Sequence, residues 1–322
     1  MKQAATKREQ RQRKRIEIPK LAVSKRFGIY KKEEKKEIRK IEVPSSAELA
    51  LLVDSFSAFT YQSREFNWKA LDSLKGRHFS PKDIEMFSIA LAQFQDSEWF
   101  SIRAGSFLSH IINSGNEVGT YTIHTRHLEE SINFLGCWNK KIILVEGDVG
   151  DNLGYMQTGQ ITVHGNAGRL AGAEMQSGML IIHGSVSESL GHKMKDGEIT
   201  VHGNAGVCAC SSLRGGSVFI NGNSDYRAGF YMRNGLLTIK GNAGSALGNE
   251  MRGGKIIVLG DTNDNCGLKM GNGTIEVNGN CRKHVGKKMT GGELHIGGDF
   301  KNISLEMSHG KIHHKGKLIV DK

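Results

Sequence analysis

From Leu135 onward, apolar residues come in pairs two positions apart, and the pairs recur every nineteen residues, eighteen at the first and last steps. Ile161, Leu180, Ile199, Val218, Leu237, Ile256, Ile275, Leu294 and Ile312 form one column, and Val163, Ile182, Val201, Ile220, Ile239, Val258, Val277 and Ile296 form a second. Alternate residues of a strand face the same side, so both columns should line the interior of a stacked strand. Between them Thr162, Thr200, Thr238 and Glu276 should look outward, which predicts a mostly polar outer face. Met156, Met175, Met194, Leu213, Met232, Met251, Met270, Met289 and Met307 form a third column of adaptable apolar gap-fillers. Repeats this short cannot bury a core alone and must stack as coils of a solenoid.

Glycines punctuate the array in two columns. One runs Gly147, Gly165, Gly184, Gly203, Gly222, Gly241, Gly260, Gly279 and Gly298; the other runs Gly159, Gly178, Gly197, Gly216, Gly235, Gly254, Gly273, Gly292 and Gly310. Both are expected at corners, where positive φ costs glycine little. Beside the first column stand Asp148, Asn166, Ser185, Asn204, Asn223, Asn242, Asp261, Asn280 and Asp299, residue types whose side chains hydrogen-bond nearby backbone. Asp148 and Asp261 could be imagined as a catalytic pair, but six coils at ~4.8 Å put them about 29 Å apart, too far to act on one bond. The repeat extends upstream in degenerate form, with Trp138 expected in the methionine place and Gly119 to His124 matching Gly159 to His164. The solenoid therefore spans 117–322, in about ten coils some 48 Å long.

Residues 45–115 show a helical period instead. Ser45 and Glu48 have capping-box spacing before the stripe Leu49, Leu52, Val53, Phe56 and Phe59. A second helix is expected over Glu65 to Leu74, closed by Gly76. Ser80, Pro81 and Asp83 supply the start of a third, which buries Ile84, Phe87, Leu91 and Phe94. A fourth covers Phe100 to Asn113. Aromatics at helical spacing are read as core rather than as a ligand pocket.

Charge changes the picture only at the amino terminus. The chain has 322 residues and a formal charge of +11. Residues 1–40 carry sixteen Lys or Arg against five Glu, so this segment accounts for the whole excess. Residues 1–44 are expected to be a solvated basic arm; nucleic acid is a conceivable partner for 1–40, but with only Phe27 and Tyr30 for stacking a solubilising tail is preferred. Cys137, Cys208, Cys210, Cys266 and Cys281 make an odd set without a C-x-x-C pair, which fits free thiols in a reducing compartment, and neither a zinc nor an iron–sulfur site is indicated. No apolar run approaches the roughly 20 residues of a membrane span, so a cytoplasmic location is expected.

One further column holds chemistry-bearing residues. His164, His183 and His202 occupy consecutive coils, with His124 upstream, and stacked imidazoles about 4.8 Å apart do not converge readily on one ion. They are read as exposed corner residues, and Ile312-His313-His314 as a frayed last coil.

GDVGDNLG (Gly147 to Gly154), GNAGRLAG (Gly165 to Gly172) and GNAGSALG (Gly241 to Gly248) carry a G-x-x-G-x-x-x-G repeat. It resembles the repeat of the carboxy-terminal domain of the glutamate synthase large subunit and of its β-helical counterpart in formylmethanofuran dehydrogenase. Ser187, Asp225, Asn263 and Arg282 depart from the middle glycine, Cys210 and Leu305 from the third. The resemblance implies a mainly β fold: a right-handed parallel β-helix of about 19-residue coils, here preceded by a small α-helical domain. It also implies a scaffold or interaction subunit whose protein partners, redox or amidotransfer subunits, hold the flavin, iron–sulfur and glutaminase chemistry. No catalytic, cofactor-binding or metal-binding residue is assigned, no cofactor is expected, and with Lys2 after Met1 no amino-terminal cysteine nucleophile is expected either. Two other functions remain open: a polysaccharide-acting enzyme using a patch such as Arg169, Glu174, Glu188 and Lys193, and a nucleic-acid adaptor acting through the arm.

Overall fold

The computed structural model describes residues 46–322; the arm and Ser45 lie outside the described residues. The first helix, α1 (Ala47–Ala58), is capped by Ser46, whose hydroxyl accepts from the Leu49 amide. The cap thus falls one residue after the expected Ser45. The segment expected to begin a second helix at Glu65 divides in two. Tyr61–Gln62 (β1) and Glu65–Phe66 (β2) form a small hairpin, and only Trp68–Leu74 winds, as a 3₁₀ helix. Phe59, Tyr61, Phe66 and Trp68 cluster there, the Phe59 and Phe66 rings stacking at 5.1 Å, and tertiary packing of this kind overrides a weak helical period. Helix α2 (Pro81–Ala90) starts where Ser80, Pro81 and Asp83 were expected to start it, with Ser80 and Asp83 forming a capping box in addition, and α3 spans Phe100–Ser114. Arg103 is buried, donating to the carbonyls of Phe56 at 2.9 Å and Phe59 at 2.6 Å, which adds to the Phe59 amide bond on Phe56 and completes the carboxy-terminal end of α1.

The coils contribute strands β3 (Thr120–His124), β4 (Ile142–Glu146), β5 (Gln160–Val163), β6 (Met179–Ile182), β7 (Val186–Glu188) and β8 (Glu198–Val201). They continue with β9 (Ala205–Val207), β10 (Ser217–Ile220), β11 (Leu236–Ile239), β12 (Arg252–Val258), β13 (Asn272–Val277), β14 (Thr290–Ile296), β15 (His309–His314) and β16 (Lys317–Asp321). Among the described residues, all but β7 and β9 join one 12-stranded sheet, parallel from β3 to β15 and ended by antiparallel β16. This is the expected parallel β-helix, built in register: Ile161 pairs with Leu180, Leu180 with Ile199, Ile256 with Ile275. Both interior columns are buried throughout the array. The last coil is not frayed, because β15 is paired on both sides, with β14 and with β16.

The glycine columns act partly for a different reason than expected. In the first column only Gly147 has positive φ, 126°. A Cβ on Gly241 would lie 2.6 Å from the Gly222 carbonyl oxygen, and one on Gly279 2.5 Å from that of Gly260, so these positions are glycine because coil presses on coil. In the second column Gly178 to Gly310 do take positive φ, from 74° at Gly216 to 120° at Gly310. Elsewhere non-glycine residues such as Arg227, Tyr231 and Glu250 also adopt left-handed φ, held by backbone hydrogen bonds to the next coil (Arg227 N–H to Ser245 O, 2.9 Å).

The polar column forms the expected ladder. The side-chain oxygen of each residue from Asp148 to Asn280 accepts the backbone N–H of its counterpart one coil on, at 2.6–3.0 Å. The methionine column needs a correction in the first coils. Trp138 is 61% exposed and Met156 half-exposed, while Asn139 and Gln157 occupy the core place at 0% exposure. Asn139 donates to the Lys141 carbonyl and accepts from its backbone amide, and Gln157 donates to the Met179 carbonyl at 3.2 Å. The helices pack on this amino-terminal end: Ser109 Oγ accepts from the Gly136 amide, Asn113 donates to the Cys137 carbonyl, and Ser88 Oγ accepts from the His124 amide. An otherwise open sheet edge is thereby covered.

Candidate functional site

The outward side of the large sheet is less polar than the sequence pattern predicts. Its central column runs, by strand pairing, Leu144, Thr162, Ile181, Thr200, Phe219, Thr238 and Ile257. Apolar and threonine residues alternate coil by coil, so an apolar side chain recurs roughly every 9.6 Å along the rod. All seven are half-buried by neighbours and none is charged. Ile142, Met179 and Leu236 flank them, with Ile142 47% exposed. Six steps of ~4.8 Å make this stripe about 29 Å long. It ends abruptly, the next residues in the column being Glu276, His295 and His313.

Along one margin of the stripe lies a trough of about 590 Å³, lined by Gly159, Gly178 and Gly197 with Lys140, Lys141, Glu198 and Ser217 among its other walls. The carbonyls of these three glycines already accept from Met179, Glu198 and Ser217, so the floor offers shape rather than hydrogen bonds. An uncharged row of alternating apolar and threonine side chains on a regular, preformed face suits broad contact with a protein better than capture of a small molecule. A second cleft, about 840 Å³, opens in the helical part between Trp68, Lys75, Arg77 and His110.

The residues weighed from the sequence are dispersed. Asp148 and Asp261 are both rungs of the backbone-binding ladder. Of the polysaccharide patch, Arg169 is tied to Asp151 in an ion pair at 2.9 Å. The histidines form a continuous column: Glu85 to His124 (3.1 Å), Glu146 to His164 (2.9 Å), then His183 and His202 with ring centroids 4.8 Å apart at each step. Desolvation, then the neighbouring His202 and His164, hold the His183 pKa below its ordinary value. All five cysteines are free thiols. Burial pushes Cys137 up to about 12 and Cys210 higher still, so neither offers a thiolate nucleophile near neutrality.

Sequence reasoning missed the apolar stripe because it weighed the polar members of the outward column and passed over Leu144, Ile181, Phe219 and Ile257 between them. Reading that column in coil order would have found it. Among the described residues, no helix is long and apolar enough to cross a membrane. The family model described as the GXGXG motif matches residues 108–275. No curated protein and no solved structure matches the chain.

Proposed function

The chain belongs to the GXGXG motif family, that of the glutamate synthase carboxy-terminal domain, and on that premise we propose that it is a scaffold or interaction subunit without chemistry of its own. Its outward stripe docks a redox or amidotransfer partner of a glutamate synthase-like assembly. The uncharged column from Leu144 to Ile257 carries this reading, because a row of half-exposed Ile, Leu and Phe on a rigid sheet gains free energy only when covered. The rigidity follows from the ladder and glycine columns, which hold successive coils in one register, so the face is presented without an ordering cost.

The test is purification of the native complex, followed by the same experiment with Ile181→Glu and Phe219→Glu. Flavin or iron–sulfur proteins that co-purify with the wild type and are lost with both variants support the proposal. Solitary recovery of the wild type, or partners unaffected by both charges, overturns it.

A further inference from the structure

Beyond the apolar stripe, the same outward face changes chemistry. Glu293 and His295 lie two residues apart on β14 and therefore share a side, and His313 on β15 is the register partner of His295. One ligand atom from each of the three can be chosen so that all lie within 4.8 Å of one another. His295 Nε2 is 3.3 Å from Glu293 Oε2, and the two imidazoles stack with centroids 4.4 Å apart and planes 12° from parallel. Among the described residues the His313 ring nitrogens have no hydrogen-bond partner, while the nearby Glu276 is occupied by Lys255 at 2.8 Å.

We infer that Glu293, His295 and His313 form a binding site for a divalent first-row transition metal, with Zn²⁺ the expected occupant. Two imidazoles and one carboxylate are a donor set that zinc accepts in tetrahedral geometry, leaving a fourth position for water. Bonds of about 2.0–2.1 Å require nitrogen atoms some 3.3–3.4 Å apart, and small side-chain rotations out of the ring stack supply that closure. The column His164–His183–His202 differs in this respect. Its Glu146 carboxylate bonds the first ring only, and the second and third rings stack at 5° with Ile181 and Thr200, rather than a carboxylate, two residues before them on the same face. Lys311, the register partner of Glu293, opposes a second positive charge and limits the affinity without removing a ligand. Binding would join β14 to β15 beside the terminal strand β16, giving the carboxy-terminal end a clamp where the amino-terminal end has helices.

The experiment is calorimetric titration of the full chain with ZnCl₂, repeated with His295→Ala, His313→Ala, Glu293→Gln and the control His183→Ala. Replacing a direct ligand should weaken binding by at least the roughly 10–100-fold typical of an outer partner. One saturable zinc site is expected in the wild type and in His183→Ala, lost or weakened by that factor in both histidine variants and in Glu293→Gln. Co²⁺ should report tetrahedral coordination by intense visible bands that disappear in the same variants. Circular dichroism of the metal-free proteins separates loss of ligands from loss of fold, and Glu293→Gln, which preserves shape, decides if a histidine variant misfolds. Wild-type affinity retained in His295→Ala and His313→Ala together, or loss only in His183→Ala, overturns the assignment.

Discussion

The two sides of each strand in the large sheet obey different rules. Inward, Ile256 and Val258 have buried aliphatic equivalents in every coil from β4 to β14, with Tyr121 and His314 taking these places only in the first and last strands of the stack. Outward, Ile257 is followed in register by Glu276, His295 and His313. A position enclosed by the coils above and below must match a fixed volume, whereas a position facing solvent need only tolerate a pleated surface. Regularity inside therefore reports the fold, and departure from regularity outside reports what the rod touches.

Neighbouring residues of β12 give the sharpest way to break this contrast. Ile256→Ala should cost about 2–5 kcal/mol, because the cavity it leaves cannot collapse between stacked coils. Ile257→Ala, one residue away, should cost about 1 kcal/mol or less. Urea unfolding of the two variants checks this, and equal losses would mean that the outer face is as tightly packed as the inner. Next in size is Gly241→Ala, about 1–3 kcal/mol, since its Cβ would press on the Gly222 carbonyl oxygen at 2.6 Å although its φ suits alanine. Asn223→Ala should cost about 0.5–1.5 kcal/mol by freeing the Asn242 amide, and faster hydrogen exchange at Asn242 would locate the loss in the ladder. The smallest effect is a pH dependence. The fold holds His183 below the ordinary imidazole value of about 6.5, so the unfolded chain binds its proton more tightly. Stability is then full above that value and declines as pH falls below it. Burial shifts His110, His127 and His192 in the same direction. Melting at pH 7.5 and 5.5 should show the decline, and His183→Asn should reduce it.

The helix start at Ser80, Pro81 and Asp83, the interior columns and the polar ladder were legible because each is encoded by residues close in sequence or repeated at a fixed interval. Trp138 and Met156 misled because the first two coils shift the core place by one residue, to Asn139 and Gln157, and period alone cannot detect a shift that hydrogen bonding to Lys141 and Met179 accommodates. The helix expected from Glu65 failed because the aromatic cluster around Phe59 decides that segment. His313 was set aside as part of a frayed last coil, and only the pairing of β15 on both sides, with β14 and β16, fixes it beside His295.

By itself, the chain's sequence determined that coils of nineteen residues would stack with Ile, Leu and Val inward, since a periodic pattern that short has no other way to bury its apolar face. It did not determine why Gly241 must be glycine, that Asn139 and Gln157 take the core place in the first coils, or that Glu293, His295 and His313 meet. Those facts depend on which atoms of one coil lie against the next, a distance of ~4.8 Å in space but about nineteen residues along the chain, and only the folded stack brings them together.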